Sequence, residues 1–212
     1  MHLHHTSSIF EHSFQFNHNM PKSKAFNHSD ILNKALELFW QKGFHSTSME
    51  DLVNELGINR SSIYDTFGNK NELFHQLIEH YQEKRLARLR HVLFIHEEVI
   101  KGFRALFDLV IQEGMIGSES KGCLIINSIT ELALEDFALN KKLEDYICQT
   151  EKLFKEYLFY GQKTGQIAQD KDIEGIASFL YTLKSGIFAI SKVRPQKERL
   201  LNIVNLGLVI LE

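Results

Sequence analysis

The chain has 212 residues, 43% of them hydrophobic and 24% charged, which is ordinary globular composition with room for a sizeable core. Two cysteines, Cys123 and Cys148, with no CxxC pair, argue against a disulfide framework or structural zinc site and for a reducing cytoplasm. The net charge of −3 offers nucleic acid no bulk attraction, and the longest apolar runs are broken by Lys184 and Asn205 before the roughly 20 residues of a membrane span.

Residues 1–19, "MHLHHTSSIFEHSFQFNHN", carry neither a helical nor a strand period. They read as a disordered leader ahead of a start at Met20, without the basic and long apolar regions of a signal peptide. Their histidines lack a metal-ligand spacing, and no metal or cofactor is expected. From Asn27 the pattern turns helical. "SDILNKALELFWQKG" sets Ile31, Leu32, Ala35, Leu36, Leu38 and Phe39 on one stripe, closed by Gly43. Thr47 and Ser48 each stand three residues before an acid, the capping-box spacing. Met49, Leu52, Val53 and Leu56 then repeat at helical intervals up to Gly57. Asn59 can cap a short helix with Ile63 and Phe67 inward. Asn69, three residues before Glu72, opens a helix predicted to run to about residue 93. Further helices are predicted near 96–113, 121–134, 140–161, 170–192 and 195–211, with Pro195 in the first turn of the last. No strand-length alternation and no phosphate loop occurs, so the expected fold class is all-α.

The stretch "SMEDLVNELGINRSSIYDTFGNKNELF" has the dimensions of a helix-turn-helix, and its second helix shows short polar side chains outward. Arg60 suits bidentate contact with guanine. Ser61, Ser62 and Thr66 can donate or accept, and Tyr64 can reach a phosphate without adding charge. Thr47, Ser48 and Asn59 are further candidate contacts, the helix starts near Thr47 and Asn69 offer N–H groups that suit phosphate, and Lys70 adds a cation. Residues 20–70 hold six Lys/Arg against six Asp/Glu, so phosphate affinity must come from placement. The plainer reading is a polar surface helix between two capping boxes.

The run "ALELFWQKGFHSTSMEDLVNELGINRSSIYDTFGNKNELF" resembles the N-terminal domain of TetR/AcrR-type transcriptional regulators, with Ala35, Phe39, Gly43, Thr47, Leu52, Gly57, Ser61, Tyr64, Phe67, Lys70 and Leu73 where that pattern has them. Asp65 departs from it, where a basic or aromatic residue is frequent. The resemblance implies a DNA-binding domain at 20–70, an effector-binding and dimerisation domain at 71–212, and a homodimer on double-stranded operator DNA. "GCLIINSITELA" is similar to the start of the sixth helix in one branch of the family.

The same plan puts a small-molecule pocket among the helices of 96–161, for which Phe103, Phe107, Cys123, Asn127, Phe154 and Tyr157 are the candidates. Plain core packing is the alternative for the aromatics, and a small buried thiol for Cys123. Residues 170–211 are apolar on more than one face, as helices of a dimer interface would be. The function expected is a ligand-responsive regulator, a repressor released by an unidentified effector. The alternatives are a non-sensing architectural DNA-binding protein and a redox or electrophile sensor acting through Cys123. No Ser-His-Asp order or metal-spaced cluster supports an enzyme, and no catalytic residue is assigned.

Overall fold

The computed structural model describes residues 27–115, 122–194 and 196–212. The expected leader, the start at Met20 and the position of Pro195 lie outside the described residues. The fold is all-α. In chain order the helices are α1 (His28–Lys42), α2 (Met49–Leu56), α3 (Arg60–Phe67), α4 (Lys70–Phe94), α5 (Val99–Met115), α6 (Leu124–Leu132), α7 (Phe137–Lys163), α8 (Ile173–Ser191) and α9 (Lys197–Leu208), with a closing 3₁₀ turn at Val209–Leu211.

Capping chemistry explains why the short N-terminal helices start and stop where they do. Asn27 and Asn59 accept from backbone N–H groups of the first turns they open. Ser48 with Asp51, and Asn69 with Glu72, form reciprocal capping boxes. Thr47 does not cap: it is fully buried and its hydroxyl donates to the Gly43 carbonyl at 2.7 Å. Gly57 ends α2 in the left-handed region at φ 66°, which a side chain would disfavour.

Helices α1–α3 and the first turns of α4 bury Leu32, Phe39, Leu52, Ile63, Phe67 and Phe74 as one small core. Helix α4 then continues out of this head without a break. The boundary expected at residue 70 therefore falls on the first residue of a continuous helix. In the larger part α5, α7 and α8 pack on one another, α4 lies on α5 and α7, and α9 lies on α5 and α8. The approach of α5 to α7 depends on Gly102, where a Cβ would sit 2.2 Å from the Tyr157 hydroxyl oxygen.

Helix α8, at 19 residues, does have the length and apolar composition to cross a membrane, so the sequence expectation is corrected on that point. One side of it packs on α5, α7 and α9, and Lys184 at its middle is fully buried.

Candidate nucleic-acid interface and effector site

Helix α3 is held by Ile63 and Phe67, both buried, which turns Arg60, Ser61, Tyr64, Asp65 and Thr66 to the exterior. Arg60 lines a shallow groove with Ser48, Met49, Glu50 and Val53 of the α2 start. Several neighbouring groups are already engaged. Asn59 accepts from the Ser62 N–H at 2.7 Å, Ser48 donates to Asp51 at 2.8 Å, and Ser61 donates to Asp65 at 3.3 Å. That last bond turns Asp65 along its own helix. The Thr47 side chain, being buried, is not presented at this surface. Lys70 is half-buried with its Nζ 4.2 Å over the Phe44 ring. Burial lowers its pKa, and nearby Glu131 opposes that shift.

Besides the continuous α4, hydrogen bonds at α6 and its flanks tie the head to the larger part. At the start of α6 the Gly122 carbonyl accepts from the Trp40 indole at 3.1 Å. At its end Glu131 accepts from the His45 backbone N–H at 2.9 Å. Asp136, which caps α7, accepts from Asn71 at 2.9 Å and lies 2.7 Å from His75 Nε2. Burial alone would raise the Asp136 pKa, but the Leu139 N–H, Asn71 and His75 together hold it down at about 2.

The pocket expected from the aromatics of 96–161 is not formed by them. Phe103, Phe107, Phe154 and Tyr157 are fully buried. Phe103 packs edge-on against Phe154 at 5.5 Å, and Tyr157 donates to the His96 carbonyl at 2.8 Å. These rings fill one another's space, so they are core. Asn127 accepts from Lys192 at 3.0 Å. Cys123, the residue before α6, is buried with its Sγ 4.0 Å from the Tyr81 hydroxyl.

A cavity of about 410 Å³ opens instead between α1, α4 and α8, lined by Leu36, Trp40, Tyr81, Arg85, Glu113 and Phe188 among others. Behind it lies a buried polar cluster that sequence reading did not find. Arg85 pairs with Glu113, which also binds Arg88 at 2.9 Å. The remaining Arg85 donors, Nε and Nη2, have no hydrogen-bond partner, nor do the Tyr146 and Tyr181 hydroxyls or Lys184 Nζ. Thr150 and Ser185, one turn beyond the two tyrosines, donate to backbone carbonyls instead, each at 2.9 Å. Each unpaired buried donor costs about 1–3 kcal/mol. Burial pulls the Lys184 ammonium down to about 8, with Cys123 and Glu113 opposing the shift and Arg85 adding to it. Burial also pushes both phenols well above their ordinary value. The one sequence signal for this cluster was Lys184 itself, a cation within an apolar run.

On the far side of α8, Gly175, Phe179, Thr182, Gly186, Ala189 and Val193 form an exposed seam at alternating spacings of four and three. Phe179 is 41% exposed, Ile190 48%, and Leu206 on the adjoining α9 is 77% exposed. Val204, within the 170–211 stretch expected at an interface, is buried inside the protomer.

The comparisons with known proteins agree with this geometry. Residues 31–77 match the model of bacterial regulatory proteins of the tetR family. The chain is 30% identical over 194 residues to the HTH-type transcriptional regulator YezE of Bacillus subtilis (strain 168), covering 91% of this chain and 100% of the relative. It is 27% identical to the HTH-type transcriptional repressor ComR of Escherichia coli (strain K12), covering 86% of this chain and 87% of the relative. A cysteine-substituted form of the TetR family regulator CifR, solved with 26 bp of double-strand operator DNA, is similar with a TM-score of 0.81 and 26% identity. It covers 90% of this chain and 100% of that one. The reduced form of Escherichia coli NemR shares the fold at 17% identity and a TM-score of 0.76, over 84% of this chain and 93% of that one.

Proposed function

Because the chain belongs to the TetR family of bacterial regulatory proteins, we propose that it is a repressor that binds operator DNA as a homodimer and is released by a small-molecule effector. The observation that carries this reading is the exposed polar face of α3 on a rigid, capped head, in a chain similar along 90% of its length to a regulator solved on operator DNA. Arg60 is the base reader, Ser61, Tyr64 and Thr66 share the groove contact, and the N-terminal turns at Ser48 and Lys70 meet phosphates. The exposed α8 seam with Leu206 of α9 is the dimer interface, holding two heads about 34–36 Å apart or a multiple of that spacing. Its place of action is the cytoplasm.

Release is a population shift. An effector that prefers one arrangement of α4 and α6 changes operator affinity by no more than its differential affinity for the two arrangements. Helix α6 is suited to this, since its start adjoins Cys123 and Trp40 and its end holds His45 of the head. The cavity beside unpaired donors favours a sensing regulator over an architectural protein, whose second domain needs no such space.

Footprinting on DNA upstream of the protein's own gene and its neighbours tests the proposal. Two protected patches related by a dyad are expected. Binding there no tighter than to random duplex, at every salt concentration tried, would end the repressor reading for those genes.

A further inference from the structure

Four side chains from three helices meet behind the cavity: Arg85 of α4, Tyr146 of α7, and Tyr181 and Lys184 of α8. Lys184 Nζ lies 4.6 Å from the Tyr181 ring centroid, 5.8 Å from that of Tyr146 and 6.0 Å from that of Phe188. The Arg85 guanidinium lies 5.4 Å from the same Phe188 ring. Their unpaired atoms are Arg85 Nε and Nη2, Lys184 Nζ and the two hydroxyls. The ammonium and guanidinium can only donate, and the two hydroxyls can donate or accept, so donor hydrogens outnumber the acceptors at hand. It also lacks negative charge. Glu113 is shared between Arg85 and Arg88, which leaves the Lys184 charge without a counter-ion of its own. Arg85 and Phe188 also line the cavity, whose other walls include Leu36 and Trp40.

We infer that this cluster is the head-group subsite for a small monocarboxylate, whose apolar body fills the adjoining cavity against Trp40 and Phe188. A carboxylate supplies two oxygens with no hydrogen of their own and a single negative charge, which matches both deficits together. A neutral amide would bring one acceptor oxygen but also two more donors, and no negative charge to answer the Lys184 ammonium. The cavity, at about 410 Å³, is in the range of small-ligand pockets. This inference gives a ligand class to the effector in the proposed function and rests on that reading only for its regulatory meaning.

The test is calorimetry and thermal shift on the full chain near neutral pH with acetate, butanoate and benzoate, their primary amides, and inorganic phosphate. At least one carboxylate is expected to bind and raise the melting temperature while its amide does not. Lys184→Met should weaken that binding about tenfold or more, and Tyr181→Phe by a smaller factor, with far-ultraviolet circular dichroism showing both variants folded. The inference is overturned if no carboxylate binds the wild type, if an amide binds equally well, if phosphate binds in preference to every carboxylate, or if Lys184→Met binds as the wild type does. Operator titration separates the two claims. A carboxylate that binds through Lys184 but leaves operator affinity unchanged keeps the subsite and ends the effector reading. Operator binding without any carboxylate binding removes only the subsite.

Discussion

Lys184 is carried fully inside the protein with an ammonium that nothing accepts from, and stability should depend on pH accordingly. Its folded pKa of about 8 is below the ordinary 10.5. Between those values the unfolded chain holds a proton that the folded chain has released, so stability rises with pH across that window. Lys184→Met should therefore stabilise the ligand-free protein at neutral pH by about 1–4 kcal/mol. The gain should shrink as pH rises above 8, and urea unfolding on both sides of that value measures it. A gain independent of pH, or a loss, would mean the amine has a partner. Asp136 has the opposite sign. Its carboxyl is depressed from 3.8 to about 2, so its contribution is present above the higher value and lost as acid takes the pH toward the lower. At this scale sequence reading succeeded where chemistry is local and failed where burial decides. The boxes at Ser48 and Asn69 are spacing rules, but Thr47 has the same spacing and differs only in being buried. Phe103, Phe154 and Tyr157 looked like pocket aromatics because nothing along the chain shows that they face one another.

Among the elements, helix existence and order were legible because caps, glycine stops and apolar spacing agree, and the structure departs from the expected ranges by a few residues. Which helices touch was not legible. The closeness of α5 to α7 rests on the missing side chain of Gly102. Gly102→Ala should lower stability by about 1–3 kcal/mol by pushing Tyr157 off the His96 carbonyl. A Tyr157→Phe, Gly102→Ala double variant that recovers part of that loss would identify the collision as the cause. Within the stretch 170–211 Val204 is core, and the exposed apolar side chains lie on the outward faces of α8 and α9, where the interface is proposed. Phe179→Glu or Leu206→Glu should give monomers in sedimentation with the helical content intact, since both side chains are exposed in the protomer. Variants that remain dimeric would move the interface to another surface.

For the whole molecule, α4 and α6 are the elements that join the head carrying α3 to the buried cluster around Lys184. Helix α4 runs from Lys70 in the head past Arg85, and α6 runs from beside Cys123 to Glu131, which holds the His45 N–H. Family resemblance in the sequence supplied this plan, while the location of the cavity had to come from packing. In the proposed function α3 reads DNA through Arg60. The most direct measurement is the ratio of affinities for the footprinted operator and a scrambled duplex of equal length, in wild type and Arg60→Ala at matched salt. Loss of a bidentate base contact, worth about 1–3 kcal/mol, should lower that ratio roughly 5- to 150-fold, with affinity for the scrambled duplex falling far less. Equal losses on both duplexes would make Arg60 a phosphate contact, and no loss on either would take α3 out of the interface.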